Sequence, residues 1–375
     1  MTDLENTVHL PEGMLSIPVT AFTGLLALGA LRQALAWVHR HLDERQMVLM
    51  AVLGALIFAL QLLNFPIQAG TSGHFAGGAL AGILLGPWPA VLVMTAVLGV
   101  QALLFADGGI IALGANILNL GLIAPLVGYA VYRTLLRLGR GHVNGSVGTS
   151  GTLPRPHLEP SLGQEGTQIP ARPRGERQVP RMISGPWLRP VSGPWLRLVA
   201  AFLGAWLATL LAALAVALEL GLSGTAHLGL ASLAMGTTHA LIGIGEGLVT
   251  AALVAYLHRV RPDLLGAESG PSSSWPLGGV LVSLAGLAIL AASLSFLASA
   301  APDGLEHVYF NLGIGDVQAI EQAPRLLGDG GPLADYRVAG VEDESLGSAI
   351  AGLIGLTVVG GLLALLAIRW RRAAK

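Results

Sequence analysis

The sequence predicts an all-α, polytopic membrane protein, and three observations carry that reading. Of 375 residues, 53% are apolar and only 11% are charged. Several apolar runs exceed the roughly 18 residues that mark a spanning helix. Those runs also lack the charged face that a helix at a water interface needs. A net charge of −1 gives no electrostatic footprint for nucleic acid. The chain has no cysteine, so disulfides, thiolate metal sites and iron–sulfur clusters are excluded. Any metal must therefore be held by nitrogen or oxygen. No basic segment leads into an apolar core at the N-terminus, so no cleavable signal peptide is expected.

Nine apolar runs are expected to span the membrane. The first two cover about residues 17–38 and 47–63. The third, within 73–86, is short: fourteen residues of helix reach about 21 Å against about 30 Å of hydrocarbon. Either protein shields one end of it, or the loop before it dips into the membrane. Gly78, Gly82 and Gly86 recur every fourth position there and make a stripe where another backbone can approach. Runs four and five cover about 88–105 and 110–136. A Gly, Pro, Ser and Arg-rich linker follows over 138–197, with SGPWLR at 184–189 repeated at 192–197. It reads as a local duplication rather than a functional repeat. The remaining runs cover about 198–220, 228–257, 277–298 and 346–368.

Charge sets the expected orientation, with the N-terminus outside and the C-terminus inside. On that arrangement the inner loops carry Arg40, Arg45, the arginines of the linker, Arg259, Arg261 and the tail Arg369, Arg371, Arg372 and Lys375. The outer segment 301–345 instead holds nine acidic residues against Arg325 and Arg337. His9, His74, His227 and His307 then lie on the outer side, and His239 inside the seventh span.

The chemistry concentrates in a few residues. His9 sits in VHLPEG, stiffened by Pro11, and His74 closes the glycine-rich turn TSGH. An imidazole at membrane depth is a functional candidate. Two imidazoles on one face of a chain without sulfur suggest a nitrogen-ligated metal site, with backbone amides as further ligands; a planar nitrogen set favours Ni(II) or Cu(II), and Co(II) is reachable. Spacing alone equally allows a surface His9 and a hydrogen-bonded turn at His74. Thr71 and Ser72 precede His74 and are candidates for supporting it or lining a path. Asp107 reads first as part of an Asp-Gly-Gly turn, and Asn116 as a helix cap or cross-link; both are also candidates for the path. His239 and Glu246 lie seven apart and share one helix face, either along a path or in a helix–helix hydrogen bond. Ala51, Ala55 and Ala59 form a small-residue face for a close helix partner, from this chain or another. No nucleotide, zinc-protease or nucleophile motif is present, and the neighbours in TSGH cannot align as nucleophile and base.

With those residues in view, the stretch 64–119, the HLPEG near the start and the run HALIGIGEGLVTAALVAYLHRVRPDLL resemble the CbiM/NikM family. That family comprises the substrate-binding membrane subunits (S components) of energy-coupling factor importers for cobalt or nickel. The resemblance covers about 8–137 and 198–265, and Pro302–Glu306 resembles a fused, NikN-like PDGLE component. It implies an N-terminal metal-binding segment (1–15), core helices at 16–137 and 198–265 around the 138–197 linker, and a two-helix component at 276–375. That makes a seven-helix core with two further spans. It implies a site in which His9 gives imidazole and backbone nitrogen, His74 a second imidazole, and the nitrogen of Val8 a further ligand. The family's Met-His start is here Val8-His9, with seven residues ahead of it. The resemblance further implies no cofactor, transported Ni(II) or Co(II), a bacterial or archaeal inner membrane, and partners in a transmembrane coupling (T) subunit and ATPase (A) subunits. Ala51, Ala55 and Ala59 would dock on the coupling subunit. Segment 301–345, without a ligand motif, is expected to be dispensable for equilibrium binding. The rival readings are a free-standing nickel/cobalt permease and an intramembrane hydrolase.

Overall fold

The computed structural model describes residues 9–42, 44–67, 70–144, 194–261, 277–299, 301–323, 326 and 331–373. Val8 and the residues before it lie outside that set. The apolar runs become helices. Helix α1 is Ile17–His41, started by Pro18 in its first turn and ended by His39, Arg40 and His41, which suit the negative end of the helix dipole. Helix α2 is Glu44–Gln61. A two-residue hairpin, β1 (Phe65–Pro66) and β2 (Ser72–Gly73), leads into α3, Gly78–Leu85. Helix α4 is Pro87–Val100 and continues as a π-helical turn, Gln101–Phe105. Helix α5, Leu113–Asn116, passes through a π-helical stretch, Ile117–Ile123, into α6, Ala124–Asn144. Helices α7 (Pro194–Ser223) and α8 (Leu228–Val260) complete the first unit. Then come α9 (Leu277–Ser293), the short α10 (Gly304–Glu306) with a π-helical turn at His307–Asn311, α11 (Val317–Glu321) and α12 (Glu344–Ala373).

Among the described residues, six helices are long and apolar enough to cross a membrane. Helices α2, α3 and α9 are shorter, although they occupy the runs expected to span. The eight residues of α3 rise only about 12 Å. The helix survives because protein encloses it: Gly78 through Leu84 are all buried. A Cβ on Gly78 would lie 2.4 Å from the Leu120 carbonyl, and one on Gly82 2.3 Å from that of Pro125, so these two glycines let α3 lie against the α5–α6 chain. Gly86 plays a different part. Its φ of +84° ends α3 and lets Pro87 start α4 at once. The linker is also shorter than expected, because α6 runs to Asn144 and α7 starts at Pro194, inside the second SGPWLR copy; the first copy lies outside the described residues.

Helix α7 packs on α6 and α8, while α12 packs on α2 and α9. The α2–α12 contact corrects the reading of the small-residue face. Ala51, Ala55 and Ala59 are buried. A Cβ on Gly360 of α12 would meet Ala55 Cβ at 3.5 Å and the Ala51 carbonyl at 3.7 Å. The chain's own last helix closes this face, so it is not open to a separate subunit.

Candidate metal centre

The N-terminal segment is strapped into one end of the bundle. Asn116 holds Leu10 at both backbone groups, accepting from its N–H at 3.1 Å and donating to its carbonyl at 3.2 Å. The Gly109 N–H donates to the same carbonyl at 2.9 Å. Glu12 accepts from the Ile110 N–H at 2.8 Å, and Thr225 donates to the Met14 carbonyl at 2.6 Å. Gly108, at φ +91°, must be glycine for a second reason: a Cβ there would sit 2.8 Å from His9 Cβ.

His9 is thereby buried, only 2% exposed. Its Nδ1 lies 3.0 Å from Asp107 Oδ1. An ionised carboxylate can only accept, so Nδ1 carries the proton and Nε2 carries the lone pair. Tyr336 donates to the other Asp107 oxygen at 2.8 Å. Burial works to raise the Asp107 carboxyl, but the His9 ring and the hydrogen bonds from His9 and Tyr336 outweigh it, and the group ends below its ordinary value. The π-helical turn at 101–105 precedes Asp107 and the one at 117–123 follows Asn116, a recurrent placement for such turns at functional sites.

The His74 loop is held from α8 and α2. Glu246 accepts from the Ala76 N–H at 2.8 Å and the Gly77 N–H at 2.9 Å, the donors at the positive end of α3. Gln61 donates to the Ala76 carbonyl at 2.7 Å.

The rings of His9 and His74 face one another with centroids 5.8 Å apart. His9 Nε2 and His74 Nδ1 are both buried without a hydrogen-bond partner. With a metal–nitrogen bond of about 2 Å, two rings sharing an ion have centroids at most roughly 6 Å apart. Both rings open on a cavity of about 70 Å³, whose other polar lining is Asn116, Asn119, Thr209, His239, Glu246 and Asp303. Among the described residues no three His, Asp or Glu side chains already stand in a ligating arrangement.

The expected candidates therefore divide. His9, His74, Asn116, His239 and Glu246 come to one cavity, and Asp107 stands behind His9. His239 Nδ1 is bonded to the Met235 carbonyl at 2.9 Å. Thr71 and Ser72 lie outside the lining. The Thr71 carbonyl accepts from Ile67 in the hairpin at 2.8 Å, and Ser72 binds the turn at 301–302. Val8 lies outside the described residues. Only Nδ1 of a histidine is near enough to its own backbone nitrogen to chelate with it, and Asp107 engages that atom in His9. The ring offers the cavity Nε2 instead.

Two residues were missed, and both belong to the segment thought to carry no part of the site. Asp303 Oδ2 lies 3.6 Å from His74 Nδ1. Burial raises its carboxyl, against the pull of the Glu306 N–H, and a cation beside it would favour the charged form. Tyr336, also stacked on Phe105 at 4.6 Å, holds Asp107. The PDGLE motif marked Asp303; nothing local marks Tyr336.

Long apolar helices enclosing a buried pair of imidazoles make this a multi-pass membrane protein. The comparisons then place it: the family described as cobalt uptake substrate-specific transmembrane region, CbiM, matches residues 9–153 and 179–264, and the PDGLE domain matches 278–372. The chain belongs to the CbiM family and carries a fused PDGLE domain. It is a membrane transport protein, not an enzyme. It is 31% identical to a putative fused nickel transport protein NikMN of Archaeoglobus fulgidus, over 94% of this chain and 95% of that protein. It is 30% identical to the fused nickel transport protein NikMN of Rhodobacter capsulatus, with the same coverage. The cobalt transport protein CbiM of Sorangium cellulosum is 28% identical over 69% of this chain and 94% of its own length. A crystal structure of a truncated transition metal transporter is 29% identical, with a TM-score of 0.48, over 67% of this chain and 98% of that one.

Proposed function

We propose that the chain is the substrate-binding membrane subunit of an energy-coupling factor importer, capturing Ni(II) or Co(II) from outside the cell. The observation that carries this is the buried pair of open nitrogens, His9 Nε2 and His74 Nδ1, on one cavity. Imidazole suits both ions. Asp107 fixes the tautomer that turns a lone pair toward the ion and raises the basicity of the ring. Glu246 and Asn116 hold the two histidine-bearing segments in register. Nickel is favoured over cobalt because two relatives that match nearly the full chain are named nickel transport proteins.

In this reading nine helical segments cross or enter the membrane, with the N-terminus outside and the C-terminus inside, as the excess of Lys and Arg on the opposite loops supports. On the same reading ATPase subunits and a transmembrane coupling subunit drive release to the inside, as the family resemblance implies. The test is uptake of nickel and cobalt by cells expressing this chain with and without those subunits. Uptake only with them is expected; full uptake by the chain alone would make it a free-standing permease.

A further inference from the structure

The segment Pro302–Glu306 lies far in sequence from both histidines, yet it forms one wall of their cavity. Each residue of this signature has a position to hold. The Pro302 carbonyl accepts from the Ser72 N–H at 2.8 Å, and the Ala301 carbonyl from the Ser72 hydroxyl at 2.7 Å, two residues before His74. Asp303 caps α10 by accepting from the Glu306 N–H at 2.8 Å, and Glu306 returns the bond by accepting from the Asp303 N–H at 3.0 Å. Gly304 lies on α8 so closely that a Cβ would sit 2.9 Å from His239 Cε1 and 2.7 Å from Ile242 Cδ1. Leu305 is buried. The result is a rigid turn, tied to the His74 loop on one side and to α8 on the other.

That turn puts the Asp303 carboxylate in the cavity lining, 3% exposed, with Oδ2 at 3.6 Å from the partnerless His74 Nδ1. At 3.6 Å and without hydrogen-bond geometry, the contact is too loose to satisfy that nitrogen. A cation on His74 Nδ1 would face the carboxylate directly. Burying a dication is prohibitive without nearby anionic charge. Asp107 supplies one charge through His9. We infer that the PDGLE turn completes the cation site, with Asp303 supplying the second balancing carboxylate beside His74. The fused domain is then part of the binding site and not only an attachment to it. With Oδ2 at 3.6 Å from His74 Nδ1, Asp303 is placed to act on the ion from its outer shell.

The inference rests on reading the His9–His74 cavity as the cation site, and the test separates the two. Asp303→Asn and Asp303→Ser both keep a capping side chain at the start of α10, so they remove the charge and spare the turn. Nickel and cobalt binding are measured by calorimetry on the full chain, beside His74→Ala. Loss of outer-shell partners weakens metal binding by about 10–100-fold, and that is the result expected for both Asp303 variants, with an unchanged apo thermal midpoint. Wild-type affinity in a folded Asp303 variant, with His74→Ala inactive, would overturn the inference and leave the site standing. Wild-type affinity in His74→Ala would overturn the site itself, and the inference with it.

Discussion

His9 Nδ1 and Asp107 Oδ1 are 3.0 Å apart although 98 residues separate them, and this contact decides which face His9 shows the cavity. A carboxylate behind an imidazole fixes the tautomer and turns the other nitrogen outward. Asp107→Asn keeps the size and an accepting oxygen but loses the charge. It is expected to weaken nickel binding by about 10–100-fold while His9 stays buried. A titration matching wild type would show that Asp107 only shapes its turn.

The closed α2 face makes a prediction opposite to that of an exposed docking stripe. Ala59 is fully buried at 0% exposure, so Ala59→Leu overpacks the chain's own core. Such changes cost about 1–3 kcal/mol, and a lower thermal midpoint in detergent is expected before any partner is added. An unchanged midpoint with loss of a co-purifying coupling subunit would return the face to a docking role.

Gly304→Ala adds a methyl where His239 and Ile242 already stand at 2.9 and 2.7 Å. The turn is expected to lift from α8 and loosen its bond to Ser72, whose amide should then exchange hydrogen faster. Native exchange at Ser72 would mean that the side chains of α8 yield instead.

Much of the fold is legible because lipid demands long uncharged helices, and α1, α4, α7, α8 and α12 announce themselves by length alone. Helix α3 is legible only as an anomaly. Its run is too short to span, and it starts at Gly78 rather than near Phe75 because Gly77, at φ +78°, leaves the right-handed helical region. His9 and His74 stand out as imidazoles in a chain without sulfur, but spacing equally allowed a surface residue and a turn, and only the fold brings their ring centroids to 5.8 Å. Their supports are less legible still. Spacing showed that Ala51, Ala55 and Ala59 accept a close helix, but periodicity does not say whose, and the answer is α12. Tyr336 reaches Asp107 across 229 residues, a pairing that no local pattern encodes. Asp303 was visible as a motif residue, yet its place beside His74 follows from the Ser72 hydrogen bonds of the folded chain.

The central claim is that His9 and His74 together hold the transported ion. Nickel calorimetry on purified His74→Ala, run beside the wild-type chain and paired with a thermal midpoint for each, tests it most directly. The account predicts no measurable binding by the variant at a wild-type midpoint, because the Ala76 and Gly77 N–H groups stay anchored on Glu246 without the imidazole. Stoichiometric nickel binding by His74→Ala at wild-type affinity would contradict it.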